Sequence, residues 1–254
     1  MQTTVLDVST LPPAENTLAD RVILVTGAGD GIGAALAETL AAQGATVILL
    51  GRTTAKLESV YDRIEAACHP QPAIYPMNLE GAAPKDYDDL AATLQESFGR
   101  LDGLVHNAAV LPPLGPMEMT PIESWYQAIQ INLNAPFLLT RACMDLLRAS
   151  DQGRLLFTLD QATLTAKAYW GVYGVSKAGL QNLATGIADE LENAAGPKVI
   201  SVLPPPTRTA LRRRAFPGED DSRLPAPADL GRGYVELLGA AAGRYHGKLM
   251  QLQL

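Results

Sequence analysis

The sequence has only two cysteines in 254 residues, Cys68 and Cys143, far apart and each in a segment patterned as a helix. That scarcity excludes a disulfide framework and any Cys-x-x-Cys spacing for zinc or redox work, and it fits inert thiols in a reducing cytoplasm. Histidine is equally sparse. His69, His106 and His246 are scattered, so no metal cluster is legible and no metal is expected. Basic residues are the minority, 20 against 27 acidic for a net charge of −7. A nucleic-acid partner is therefore not expected, because phosphate contacts need concentrated positive charge. The one basic run, Arg212-Arg213-Arg214, reads either as a solvated loop face or as a clamp on an anionic substrate or cofactor phosphate. No apolar segment approaches the roughly 18 residues of a membrane span. The first twenty residues also lack the positive start and apolar stretch of a secretion signal.

What the chain does have is alternation. Strand-like apolar runs fall near 22–25, 46–50, 73–77, 101–106, 154–159, 198–203 and 248–252. Helical patterns lie between them at 32–43, 54–67, 84–98, 121–149, 171–193 and 228–240. Continuous rather than alternating apolar runs suit parallel strands buried on both faces. The order implies right-handed crossovers, and hence an α/β, Rossmann-like doubly wound parallel sheet of about seven strands with helices on both faces. With 47% hydrophobic residues over this length, one domain spanning 19–254 is expected. Residues 1–18 read as an N-terminal extension. Three consecutive prolines, Pro204 to Pro206, open an irregular stretch in which 205–226 reads as a substrate lid.

Two motifs carry the chemistry. Thr26-Gly27-Ala28-Gly29-Asp30-Gly31-Ile32-Gly33 follows the apolar run Val22 to Val25 and precedes a helix, where glycines let the backbone approach a pyrophosphate at the helix N-terminus. The Gly29, Gly31, Gly33 spacing also occurs in methyltransferases that bind a sulfonium nucleoside, so the glycines alone leave the cofactor open. The second motif is Tyr173-Gly174-Val175-Ser176-Lys177. Residues four apart share a helical face, so the Lys177 ammonium is expected near the Tyr173 hydroxyl, favouring phenolate and lowering its pKa. Methyl transfer does not explain that pair; proton transfer in a carbonyl/alcohol oxidoreductase does.

These motifs make the chain, over roughly 18–252, resemble the short-chain dehydrogenase/reductase family, and more narrowly its YciK-like group of bacterial oxidoreductases. The likeness also rests on 47–52 (Val-Ile-Leu-Leu-Gly-Arg), Leu101-Asp102-Gly103, His106-Asn107-Ala108, Trp170-Gly171, Thr207-Arg208-Thr209 and Pro227-Ala228-Asp229. The resemblance implies hydride exchange between nicotinamide and a small carbonyl or alcohol substrate. Tyr173 would be the proton donor or base, with Lys177 and Asn132 in a proton relay. It also implies that Gly27, Gly29, Asp30, Gly31, Ile32 and Gly33 hold the diphosphate side of the cofactor. Arg52, Asn78, Leu79, Asn107, Ala108, Pro204 and Thr207, with Tyr173 and Lys177, would line the rest. Gly51-Arg52 after the second run suits a 2′-phosphate, so NADP is expected and NAD is possible, while Asp30 would repel that phosphate. Small residues on the helices of Asn132 and Tyr173, and the family's habit, imply a homodimer or homotetramer.

The sequence departs from the family pattern where the chemistry happens. Asp160, thirteen residues before Tyr173, stands where the family has a serine that donates a hydrogen bond to the developing alkoxide. An ionised carboxylate cannot donate, and its charge opposes both alkoxide and phenolate, whereas a protonated one could serve. Pro205 and Pro206 replace the family's paired glycines, Asn78 an aspartate and Ala109 a glycine. The expectation is an oxidoreductase impaired by Asp160. The alternative is a catalytically inactive nucleotide-binding or assembly protein on the same fold.

Overall fold

The computed structural model describes residues 3–12 and 16–254. Its centre is one sheet of eight parallel strands: β1 (Thr3–Asp7), β2 (Val22–Thr26), β3 (Thr46–Gly51), β4 (Ala73–Pro76), β5 (Gly103–His106), β6 (Arg154–Thr158), β7 (Lys198–Leu203) and β8 (Leu249–Gln253). Their order across the sheet is β1-β8-β7-β6-β5-β2-β3-β4. From β2 the chain winds outward one way to β4, then returns beside β2 and winds the other way from β5 to β8. The direction therefore reverses between β2 and β5, and in open α/β sheets a ligand crevice forms beyond the strand ends at that point.

The strand count is one above the seven expected. Thr3–Asp7 lies in the segment read as an extension, yet it pairs in parallel with β8, Val5 opposite Gln251. Its Thr-Thr-Val-Leu composition favours a pleated, half-buried edge, and Leu6 alone of its five residues is buried.

Alternate residues of the inner strands face opposite layers. Ile23 and Val25 of β2, with Val47 and Leu49 of β3, pack under the helices α1 (Gly31–Ala42), α2 (Thr54–Ala66) and, later in the chain, α8 (Gly231–Leu238). Val22, Leu24, Ile48 and Leu50 pack on the other face. That face is covered by α3 (Pro84–Phe98), α5 (Ala135–Arg148) and α6 (Gly171–Glu190). Burial on both faces is why these strands read as unbroken apolar runs.

The helical pattern expected over 121–149 is interrupted. It consists of α4 (Ile122–Ile129), a π segment from Gln130 to Asn134, and α5. Pro136 has no N–H to return to the carbonyl of Asn132 four residues earlier, and the Ala135 N–H bonds instead to Gln130. The wider turn therefore falls on Asn132, a common place for π-bulges, which concentrate at functional sites.

Candidate active site

The glycine turn is shaped by close approach. Gly27 has φ +69°, and a Cβ there would come within 3.0 Å of the Ala108 Cα. A Cβ on Gly33 would lie 2.2 Å from the Gly27 carbonyl oxygen and 2.6 Å from Asn107 Nδ2. Thr26, buried at the end of β2, ties this turn to the end of β5: its hydroxyl accepts the backbone N–H groups of Asn107 at 2.9 Å and Ala108 at 3.0 Å. The Asn107 amide donates back to the Thr26 carbonyl. Strand end and loop are thereby fixed around a cleft of about 460 Å³. Gly27, Gly29, Gly31, Ile32, Asn107 and Ala108 line one part of it. The glycines are required by this close packing, and the turn so formed opens α1 with backbone N–H groups, the kind of helix start that suits a pyrophosphate.

Arg52, Asn78 and Leu79 line the cleft beyond the ends of β3 and β4, with Pro204 and Thr207 on the opposite side. Arg52 is exposed. Asp30 caps α1, accepting the Gly31 N–H at 2.7 Å, and its other oxygen binds Lys56 Nζ at 2.6 Å. That pairing holds the Asp30 carboxyl below its usual range. The repulsion of a 2′-phosphate expected from Asp30 is offset by Lys56, which the sequence reading passed over. Lys56, in the first turn of α2, lines the cleft together with Arg52.

Tyr173 and Lys177, one turn apart on α6, are both buried and both reach the cleft. Lys177 Nζ donates to the Thr158 carbonyl at 3.0 Å and lies 6.0 Å from the Tyr173 ring centre. Burial pushes its pKa down to about 8, against the upward pull of Asp160. Asp160 lies two residues beyond the end of β6. Its Oδ1 accepts the Ala162 N–H at 2.9 Å, and its Oδ2 accepts the Tyr173 hydroxyl at 3.2 Å. Each carboxyl oxygen of Asp160 thus accepts a hydrogen bond, one of them from the phenol of the Tyr-x-x-x-Lys motif.

One expectation is reversed here. Tyr173 is not lowered by Lys177: burial first, then the charge and hydrogen bond of Asp160, hold its phenol well above the ordinary value. Beyond burial, the carboxylate bonds the phenol directly while the ammonium is bonded to the Thr158 carbonyl.

Asn132 is fully buried behind the cleft rather than in its wall, where its neighbour Ile131 lies. Its Oδ1 accepts the Val110 N–H at 2.8 Å, and its Nδ2 donates to the Val110 carbonyl and to Ser176 Oγ, each at 3.0 Å. Ser176 in turn donates to the Tyr173 carbonyl. Asn132 thus clamps the loop after β5 to α6 one residue before Lys177. Thr26, Thr158 and Ser176 were also left without a role by sequence reasoning, because each has a partner distant in the chain: the Asn107 and Ala108 N–H groups, the Lys177 ammonium and the Asn132 amide.

His106 at the end of β5 is buried, stacked on Phe157 at 4.8 Å between ring centres, and bonded through Nε2 to the Thr140 hydroxyl. Burial, and secondarily the Lys177 charge, push its pKa down to about 3. It is a neutral packing group.

The segment after β7 folds back over the cleft through the short helix α7 (Ala210–Ala215). Leu211, Ala215 and Phe216 line the space above Tyr173. Trp170 sits between Tyr173 and Phe216, each ring centre 5.8 Å away, and the Arg212 guanidinium covers Phe216 at 3.7 Å. Arg212 is held by both oxygens of Glu219 at 2.6 Å, and Arg213 pairs with Asp221. Two members of the arginine run are therefore already neutralised within the segment. Among the described residues no group of His, Cys, Asp and Glu is arranged to hold a metal ion, and no helix is long and apolar enough to cross a membrane.

Comparison with known proteins identifies the family. Residues 21–220 match the family model for short chain dehydrogenases. The chain is 39% identical over 241 residues to the uncharacterized oxidoreductase YciK of Escherichia coli, covering 95% of each. A solved structure described as a short chain dehydrogenase from Pseudomonas syringae superposes with a TM-score of 0.92 at 43% identity, over 94% of this chain and 97% of the other. Another, from Escherichia coli and complexed with NADPH, gives 0.91 at 39% identity, over 94% and 99%. The chain belongs to the short-chain dehydrogenase family.

Proposed function

We propose that this oxidoreductase uses NADP(H) to exchange hydride with a small-molecule carbonyl or alcohol, and that Asp160 weakens its carbonyl reduction. The observation that carries the reading is the convergence, in one cleft, of the glycine cradle at the end of β2 with Tyr173 and Lys177 of α6. When bound there, a reduced nicotinamide supplies the hydride. Tyr173 holds the proton that the substrate oxygen receives, Lys177 keeps positive charge behind the phenol, and Asn132 fixes the π turn against α6 so that both stay aligned. The NADPH-complexed Escherichia coli relative supports the choice of cofactor, as does the Arg52 and Lys56 corner.

Titration with NADPH and NADH by nicotinamide fluorescence tests this directly. NADPH is expected to bind more tightly, and Arg52→Ala to weaken NADPH more than NADH. Equal losses, or none, remove Arg52 as the selector.

A second reading, a nucleotide-binding or assembly protein without turnover, is favoured by one feature: the Tyr173 hydroxyl donates to Asp160 rather than standing ready for a substrate. NADPH binding without turnover on any carbonyl or C=N substrate would support it.

A further inference from the structure

In a site with a neutral group at position 160, the nearest charge to the reacting atom would be the Lys177 ammonium, which suits a substrate that becomes an anion. Here Asp160 cancels that balance. Its Oδ2 lies 3.2 Å from the phenolic oxygen, the atom that must face the substrate. Lys177 is turned away to the Thr158 carbonyl. Of the two arginines of α7 that line the cleft, Arg212 is tied to Glu219 through two bonds, and Arg214 belongs to the last turn of that helix. Trp170 adds aromatic surface along the same cleft, and such surface attracts cations, as Phe216 beside it already holds the Arg212 guanidinium. The charge nearest the reaction centre is thus negative, and the walls around it are aromatic.

We infer that the preferred substrates are cationic C=N compounds, iminium ions, and that Asp160 is the residue selecting them over carbonyls. The inference rests on the nicotinamide-dependent part of the reading above and puts a C=N group where that reading has a carbonyl. The iminium carbon accepts a hydride with its electron pair from the reduced nicotinamide, forming a C–H bond. The C=N π pair returns to nitrogen as a lone pair, so the nitrogen loses its positive charge and the nicotinamide is oxidised. No alkoxide forms and no proton need be delivered, so a phenol directed at Asp160 is no handicap. Attraction between carboxylate and cation organises the ground state, and the aromatic walls hold the flat ring.

The test uses the full chain loaded with NADPH and two ring-matched probes, N-methyl dihydroisoquinolinium and tetralone. Binding is followed by titration calorimetry with a tetrahydro analogue of NADPH that cannot deliver hydride, and turnover by NADPH oxidation. The cation is expected to bind at least about tenfold more tightly than the ketone and to be reduced with the higher kcat/KM. In Asp160→Asn, which keeps the shape and the acceptor for Ala162, the binding preference should fall to within about twofold. Asp160→Ser should do the same, which guards against one variant misfolding. Equal binding of the two probes by the native protein, an unchanged preference in both variants, or no binding of either probe would overturn the inference. Failure of NADPH itself to bind, visible before any probe is added, would instead overturn the nicotinamide reading and this inference with it.

Discussion

Replacing Asp160 by serine is the perturbation whose outcome depends most directly on the geometry. With Oδ2 3.2 Å from the Tyr173 hydroxyl, a substrate oxygen bonded to that hydroxyl stands about 5 Å from the carboxylate. Two unit charges at about 5 Å interact by roughly 3 kcal/mol at an effective dielectric of about 20. If about half the alkoxide charge has developed in the transition state, the penalty is about 1.5 kcal/mol, or roughly tenfold in rate. A serine removes that penalty and returns a donor, and a single oxyanion donor is typically worth about 10²- to 10³-fold. Asp160→Ser should therefore raise kcat/KM for ketone reduction by at least about tenfold. Tyr173→Phe in the same background should abolish it. Steady-state NADPH oxidation on a ketone panel, with cofactor affinity checked separately, measures both. An active native enzyme whose ketone turnover falls on Asp160→Ser would refute the charge argument and mark Asp160 as a protonated, working donor.

His106 is neutral in the folded protein and free to protonate when unfolded, so the stability it confers is present above about pH 6.5 and lost as pH falls toward about 3. Urea midpoints at pH 7, 5 and 4 should decline less steeply in His106→Gln than in the native chain; parallel declines would remove His106 as the cause. Gly33→Ala should destabilise the fold by several kcal/mol and abolish NADPH binding, since its methyl would meet the Gly27 carbonyl, an atom of backbone that cannot swing aside. Thermal melts with and without NADPH report both effects, and a native-like melting temperature would falsify the steric reading. Ile122, Tyr126, Phe137 and Val175 are exposed apolar residues on α4, α5 and α6. We expect these helices to be covered in a homodimer or homotetramer, so light scattering should give a multiple of 27.0 kDa; a single species at that mass would count against it.

Most of the fold was legible because its signals are local. Val22 to Val25 and Thr46 to Leu50 read as buried strands because both their faces are covered, and the glycine turn was recognisable from composition alone. The eighth strand was not, because Thr3–Asp7 is a short edge whose pairing depends on residues at the other end of the chain. Tyr173, Lys177 and Asp160 were found by spacing, and the structure brings all three together. Their electrostatics were misjudged for Tyr173, since helical spacing places Lys177 beside the tyrosine but does not say where its ammonium points. The Thr158 carbonyl decides that, and a backbone acceptor leaves no mark in side-chain pattern. Lys56 escaped notice for a similar reason: its partner Asp30 is twenty-six residues away and meets it only because β2 and β3 lie side by side.

The first strand has a consequence for how the chain is made. β1 pairs only with β8, so its partner emerges roughly 240 residues later, a delay on the order of 10–50 s at ordinary synthesis rates. Throughout that time Thr3–Asp7 has no ladder to join. Its shortness and its lone buried leucine limit the danger of pairing with a neighbouring nascent chain. β8 joins β7 on one side and offers its other side to β1, so Thr3–Asp7 can pair only after almost all of the sheet has been made. Order of synthesis and order of assembly are thereby inverted at this edge of the sheet.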